Sequence, residues 1–239
     1  MAVEVLPGVY QISLGYVNAF FVAEEDGVTL IDSGLPNKKQ AILKALSGAG
    51  KKPEDLKRIV ITHHHVDHTG SLAALVEATG AQVYIHPLDA PIVRGERPAP
   101  GPNPKSILGK IVHPLIGLPP LRSMYTLSPT RVDQEVQDGD DLPAAGGLKA
   151  VHTPGHTAGH LAYLMPGHGG VLFAGDAAGN LFGRLGPPLG MYTEDMAQAK
   201  ESIRRLAELE FDTACFGHGR VLKGKAHVAF RRIVEKMAR

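Results

Sequence analysis

The run ITHHHVDHTG, residues 61–70, constrains this chain more than any other stretch. It follows LKRIV, a β-branched run that reads as a buried strand, and precedes SLAALVEATG, a helix closed by a glycine. His63, His64, His65, Asp67 and His68 are thereby held in the bend between a strand and a helix. In an extended chain, residues two apart face the same way, so His63 and His65 can reach one ion. Asp67 and His68 lie in the turn and face a different direction, toward a second ion. His64 is expected to point away from both and to support the site from behind. Neutral imidazole is the commonest metal ligand, and an internal run framed by a strand and a helix is not a tag.

A catalytic zinc with an open position takes three protein ligands, so this motif alone completes neither ion. Three further strand ends offer the remainder. HTPGHTAGH carries His152, His156 and His160, LFAGD places Asp176 after an apolar strand, and CFGHG places His218 likewise. An unpaired carboxylate at such a strand end is costly, whereas one shared between two cations is not. His86, His113, His168 and His227 read as ordinary turn residues, and Tyr192 as a packed aromatic rather than a proton donor.

The rest of the chain supplies the frame. GVYQISL, NAFFVAEE and GVTLID are short strands, and NKKQAILKALSGAG is a helix with apolar Ile42, Leu43 and Leu46. AQVYIH follows the SLAALVEATG helix as a strand. Later, GLKAVHT, HLAYLM, GVLFAGD and DTACFGHG return to strands. TEDMAQAKESIRRLAEL is a helix with Thr193 as its expected N-cap and Glu194 and Asp195 in its first turn. KAHVAFRRIVEKMAR closes the chain as a basic helix with a solvated charged face. Strands followed by helices occur twice, which predicts an α/β fold of two similar halves packed sheet on sheet. Residues 87–130 differ: they hold many of the 18 prolines, interleaved with Ile107, Leu108, Ile111, Leu115, Ile116, Leu118, Leu121 and Met124. Proline forbids long elements there, so a single domain spanning 1–239 is expected, with this apolar segment inserted as short helices and loops.

The chain of 239 residues has a net charge of +1, which provides no electrostatic footprint for nucleic acid or an anionic membrane. Cys215 is the only cysteine, so thiolate zinc clusters and internal disulfides are excluded, and a buried strand position is expected for it. No apolar run reaches membrane length and no signal peptide is visible, so a cytoplasmic location is expected.

THHHVDHTG, TPGHTAGH, FAGD and FGHG, in this order and after LIDSG, resemble the five motifs of the metallo-β-lactamase fold. The resemblance spans roughly residues 10 to 220 and is specific as an ensemble. It implies an αβ/βα four-layer sandwich: two facing mixed β-sheets, helices outside, and a dinuclear metal site along one edge. It further implies that His63, His65 and His156 hold the first metal and that Asp67, His68 and His218 hold the second. Asp176 would bridge the two. Asp32 of LIDSG and His160 would support the ligands from the second layer, and Asp67 and Asp176 would be the catalytic carboxylates. The implied cofactors are two divalent ions, zinc first, with Mn or Fe as alternatives.

The presence of Asp176 makes the pattern similar to the glyoxalase II and lactonase branch. The chain after His218 is short, which is unlike the helical glutathione-binding domain of glyoxalase II. GDAAGN also lacks the tyrosine that homoserine lactonases often carry after the bridging aspartate. The expected activity is therefore a metal-bridged hydroxide attacking an ester or lactone carbonyl, with hydrophobic substrates favoured and side activity on phosphotriesters. The alternatives are a glyoxalase II-like thioester hydrolase and a persulfide dioxygenase-like oxygenase with one iron on His63, His156 and Asp176. The expected partner is a small hydrophobic ester or lactone. Segment 87–130 is expected either to overhang the site as a lid or to form a homodimer interface, with Phe182, Leu185, Leu189 and Met191 as the opposite wall.

Overall fold

The structure, a computed structural model, describes residues 2–112, 115 and 126–237. His113, Ile116, Leu118, Leu121 and Met124 lie outside the described residues. The first sheet runs in chain order: β1 (Ala2–Leu6), β2 (Val9–Ser13), β3 (Asn18–Ala23), β4 (Val28–Ile31), β5 (Leu56–Val60), β6 (Gln82–Ile85) and β7 (Gln134–Glu135). Its first four strands pair antiparallel, and β4 to β7 pair parallel. The parallel pairs are joined by the expected helices, Lys39–Gly48 after β4 and Leu72–Thr79 after β5. The second sheet contains β8 (Asp141–Leu142), β9 (Leu148–His152), β10 (Leu161–Met165), β11 (Val171–Phe173), β14 (Thr213–Cys215) and β15 (Leu222–Lys223), in the order β15-β14-β11-β10-β9-β8. A separate ribbon pairs β12 (Gly179–Leu181) with β13 (Arg184–Gly186).

Strand alternation explains why two sheets and outer helices form one stack. Adjacent residues on a strand point to opposite faces. Phe21, Leu30 and Ile59 pack outward under the helices Lys39–Gly48 and Leu72–Thr79. Their neighbours Phe20, Ile31 and Val60 face inward and meet Tyr163, Phe173 and Cys215 of the second sheet. On that sheet, Ala162, Leu172 and Ala214 face outward against Ile203, Leu206 and Phe230 of the helices Met196–Ala207 and Ala226–Met237. The four-layer sandwich follows from these three cores. Each fully buried Phe or Leu contributes roughly 1.5–3 kcal/mol. Cys215 is buried in the central core, as expected.

The two sheets touch along one edge, and that edge carries the histidines. Leu161 N–H donates to Thr62 O at 2.8 Å, and the Tyr163 hydroxyl donates to Ile61 O at 2.9 Å. Asn18 N–H donates to Gly217 O at 2.8 Å. Residues 61–62 and 217 are thus stitched across the seam immediately beside the ligand motifs.

Some local features differ from the sequence reading. The N-terminal strand β1 and the β12–β13 ribbon were not expected, because glycine and short length hide their pairing. The helix Met196–Ala207 is capped by Asp195, whose side chain accepts from Ala197 N and Gln198 N at 2.9 and 3.0 Å. Thr193 is two residues too early for that role and is drawn into the site instead. The Pro-rich segment does form short helices, Ala90–Val93 and Ile107–Val112. Among the described residues no helix is long and apolar enough to cross a membrane. Asp195→Ala is expected to destabilise the fold by about 1 kcal/mol, read as a lower denaturant midpoint at unchanged slope.

Candidate metal centre

Strand β5 delivers the chain into the seam, where His63 and His64 are buried and His65 is half-buried. The short helical turn Val66–Thr69 then reverses direction and presents Asp67 and His68. His156 sits in the loop between β9 and β10, Asp176 just beyond β11, and His218 just beyond β14. Gly217 is required here by space: a Cβ at that position would lie 2.3 Å from Asp176 Oδ1 and 2.5 Å from His68 Cε1. The fold brings the seven expected ligand residues together. Three groups place their ligand atoms within 4.8 Å of one another: His63, His65 and His156; His63, His68 and Asp176; and Asp67, His68 and His218.

The hydrogen bonds behind the rings decide which nitrogens carry protons. The Thr62 hydroxyl donates to Asp32, at 2.9 Å to Oδ2, so it can only accept from His63 Nδ1 at 3.0 Å. The Thr193 hydroxyl donates to Leu189 O at 2.9 Å and accepts from His156 Nδ1 at 3.3 Å. His68 Nδ1–H donates to Asp32 Oδ2 at 2.8 Å, and His218 Nδ1–H donates to Tyr16 O at 2.9 Å. In all four rings Nδ1 therefore carries a proton directed outward, and Nε2 faces the site. His65 differs, because it presents Nδ1, which lies 3.0 Å from both His63 Nε2 and His156 Nε2. Three lone pairs at this separation repel unless a cation lies among them.

The carboxylates make the same point. Asp176 Oδ2 lies 3.5 Å from His156 Nε2 and 3.1 Å from His218 Nε2, and Oδ1 lies 3.5 Å from His68 Nε2. Asp67 Oδ2 is 3.4 Å from His218 Nε2. His68 Nε2 and Asp176 Oδ1 are buried and have no hydrogen-bond partner among the described residues. A buried unpartnered polar atom is rare and calls for an ion or other partner. The donor set of imidazole nitrogens and carboxylate oxygens fits two divalent cations, with Asp176 between them.

Electrostatics follow from this crowding. Burial, reinforced by neighbouring imidazoles, holds His63 well below the usual histidine range; burial likewise lowers His156, and it brings His65 to about 3. Burial also disfavours the charged form of His68, but Asp176 and Asp32 outweigh it and raise that ring to about 9. Asp176, aided by its hydrogen bond, overcomes burial at His218 and raises it to about 11. Burial would lift both carboxyls. The His218 hydrogen bond instead brings Asp67 to about 2, and His218 and His68 hold Asp176 well below the carboxylate range.

Asp32 and His160 contact the converging residues from behind. Asp32, at a left-handed φ of 61°, accepts from Thr62 N at 2.8 Å and from Thr62 Oγ1 and His68. His160 Nδ1–H donates to Thr153 Oγ1 at 2.8 Å, and its Nε2 accepts from Asp176 N–H at 3.0 Å, so both ring nitrogens are committed and the ring steadies Asp176. His152 is directed elsewhere, stacked on His86 with ring centroids 4.3 Å apart.

The sequence reading missed Asp89. It is buried, and Oδ2 accepts from His64 N at 2.9 Å and from Thr157 Oγ1 at 2.9 Å, while Oδ1 accepts from Gly159 N at 3.0 Å. His64 Nδ1 lies 3.0 Å from the same carboxylate, and His64 belongs to none of the three converging groups. Asp89 thus clamps the His63–His65 loop to the loop that bears His156. It stands at the start of the inserted segment, where a lone aspartate in HPLDAP carries no visible signal.

Above the metal floor lies a cavity of about 390 Å³. The floor is His65, Asp67, His156, Asp176 and His218, and residues 99–102 and 186–189 contribute to the walls. The inserted segment does contribute a wall, through residues 99–102. Ile107, Ile111 and Leu115 are instead exposed and do not line the cavity. Of the expected opposite wall only Leu189 lines it: Phe182 is 97% exposed, Leu185 packs down on the outer core, and Met191 stands outside the lining. Tyr192 lines the cavity beside His65, and Tyr16, another residue missed, lines it while stacking on His218.

The model of the metallo-beta-lactamase superfamily matches residues 12–218. The chain is 31% identical over 237 residues to the probable metallo-hydrolase YflN of Bacillus subtilis, covering 93% of this chain and 88% of that protein. It is 29% identical over 217 residues to a hydroxyacylglutathione hydrolase of Shewanella pealeana, covering 89% of this chain but 62% of that protein. Among solved structures, a metallo-beta-lactamase family protein from Thermus thermophilus superposes with a TM-score of 0.73 at 26% identity, covering 98% of this chain and 81% of that one. A variant metallo-beta-lactamase from Cronobacter sakazakii shares the fold at a TM-score of 0.74 and 22% identity, covering 100% and 96%.

Two outcomes follow from the site's protons and its clamp. In metal-free protein near neutral pH, His68 at about 9 and His218 at about 11 each carry a second proton, which a cation at Nε2 must expel. Metal titration in weak buffer is therefore expected to release those two protons, and apparent affinity should rise with pH; a proton-neutral titration would contradict the ligand set. The sign for folding is opposite: both rings stabilise the metal-free chain below their unfolded value of 6.5, and that contribution is lost as pH climbs through about 9 and 11. Asp89→Asn, whose amide N–H would face N–H donors, is expected to weaken metal binding about 10- to 100-fold in chelator competition; wild-type affinity would rule out the clamp.

Proposed function

Because the chain belongs to the metallo-beta-lactamase superfamily, we propose that it is a dinuclear metal-dependent hydrolase acting on hydrophobic carboxylic esters or lactones. The observation that supports this most is the pairing of two three-residue ligand groups through Asp176 on the floor of a largely apolar cavity. In this reading His63, His65 and His156 would hold one ion and Asp67, His68 and His218 the other, with Asp176 shared between the two groups. Two divalent cations there, zinc first and Mn or Fe as alternatives, supply Lewis acidity and bring a water's pKa toward neutrality.

The chain's own groups set the conditions for that chemistry. Asp67 and Asp176 stay ionised at neutral pH and offset cation charge, since histidine contacts hold both below the usual carboxylate range. Asp32, Thr62 and Thr193 fix the tautomers that keep lone pairs inward. Pro100, Pro102, Pro187, Pro188 and Leu189 form stiff walls that exclude water around an acyl chain. The complete second group of Asp67, His68 and His218 favours two ions over the single iron of an oxygenase. Thioesters present the same carbonyl electrophile and belong in the same substrate screen.

Protein prepared without added metal or chelator is expected to carry about two ions per chain by elemental analysis. One iron and little else would favour the oxygenase. Asp176→Ala is expected to drop the metal content to about one ion or fewer and to lower ester hydrolysis at least about a hundredfold. Full metal and full activity in that variant would overturn the assignment.

A further inference from the structure

We propose that the β12–β13 ribbon selects the substrate, and that it selects hydrophobic esters bearing a separate anionic group, which Arg184 binds. The ester half of this statement rests on the hydrolase reading above; the anion half rests on the ribbon itself.

The register of the ribbon pairs Gly179 with Gly186, Asn180 with Leu185, and Leu181 with Arg184. Strand alternation therefore gives it two distinct faces. Asn180 is buried and Leu185 packs against the outer core, so that face points into the protein. Gly179, Leu181, Arg184 and Gly186 form the other face, and all four line the cavity above the metal floor.

That face is graded along its length. At the Gly179–Gly186 end, a Cβ on Gly186 would meet nothing within 4 Å, and one on Gly179 would have His218 O as its nearest neighbour at 3.8 Å. The space beside the ligands is left open for the reacting group. Two residues farther on, about 7 Å at the usual strand rise, stand Leu181 and Arg184. An apolar chain followed by a charged end matches this order.

The ribbon is also anchored to the site. Asn180 N donates to His218 O at 3.2 Å, Arg220 N donates to Asn180 O at 3.1 Å, and Asn180 Nδ2 donates to Arg220 O at 2.8 Å. Its tip is a two-residue turn with both φ positive, Phe182 at 52° and Gly183 at 76°, the tight geometry that matches strand twist. The backbone at Arg184 is thereby held at a set offset from His218, and its exposed side chain borders the cavity from there.

Arg184 is exposed and unpaired among the described residues. Arg58, Arg94, Arg131, Arg204, Arg205 and Arg231 each pair with a carboxylate, whereas Arg97, Arg184, Arg220 and Arg232 make no ion pair among the described residues, and of these four Arg184 alone lines the cavity. Among the described residues Arg184 makes no ion pair or hydrogen bond, and it is the one lysine or arginine in the cavity lining. Its planar fork of donors suits a carboxylate or similar oxyanion.

The test compares para-nitrophenyl octanoate with the mono-para-nitrophenyl ester of octanedioic acid on the metal-loaded protein. The wild type is expected to favour the acid-terminated ester by about tenfold in kcat/KM, a preference that falls to near unity in Arg184→Met and is partly kept in Arg184→Lys. In parallel, calorimetric binding of octanesulfonate, a poor metal ligand, is expected to weaken about tenfold in Arg184→Met. Equal hydrolysis of both esters, with a ratio that Arg184→Met does not move, overturns the anion subsite and leaves the hydrolase reading standing. Octanesulfonate binding that depends on Arg184, with neither ester cleaved, keeps the subsite and removes the hydrolase reading. Binding indifferent to Arg184, with neither ester cleaved, removes both.

Discussion

Mutual repulsion among inward-facing lone pairs is the constraint on which the rest of this structure depends. His63, His68, His156 and His218 present Nε2, His65 presents Nδ1, and Asp67 and Asp176 present carboxylates, all into one space at the seam of two sheets. Such a set is unfavourable without positive charge among its members, because each atom has given up water and found another acceptor. Two extra protons, on His68 and His218, relieve the metal-free chain only in part. Divalent cations satisfy the whole set.

The fold bears the strain of holding such groups together by fixing them from behind. Each ligand ring has its outer nitrogen committed to a hydroxyl, a carboxylate or a carbonyl, except His65, which binds through the opposite nitrogen. The supports come from distant parts of the chain: Asp32 from the end of β4, Thr193 from before the helix Met196–Ala207, Tyr16 from the β2–β3 turn, and Asp89 from the start of the inserted segment. The three cores make this affordable. They pack both faces of each sheet, so the seam between the sheets is rigid enough to keep rings within hydrogen-bonding distance of one another.

The same rigidity extends outward from the metal floor. The walls are rich in proline and glycine, and the ribbon that carries Leu181 and Arg184 is tied to the backbone of His218. Recognition and chemistry are therefore mechanically linked: whatever shifts the His218 turn shifts the selecting face as well. Exposed Phe182 stands at the tip of the ribbon, and Tyr192 stands beside His65 at the cavity.

Much of this was legible in the sequence because ligand chemistry and strand periodicity are local. HHHVDH after a β-branched run specified two ligand directions, and strands followed twice by helices specified an α/β fold of two halves; the choice of His156 among three histidines, the bridging place of Asp176 and the four-layer sandwich came from the resemblance to the metallo-β-lactamase motifs. What only the tertiary structure decided depends on contacts between residues far apart in the chain. Asp89 has no local signature, and its role appears only when the loops at 64 and 157–159 meet on it. Thr193 reads as a helix cap, yet Asp195 satisfies the helix and leaves Thr193 to orient His156. The ribbon at 179–186 reads as a Gly- and Pro-rich loop, because short pairing leaves no periodicity. Its two faces, and the direction of Arg184, exist only once β12 and β13 are paired and docked on His218.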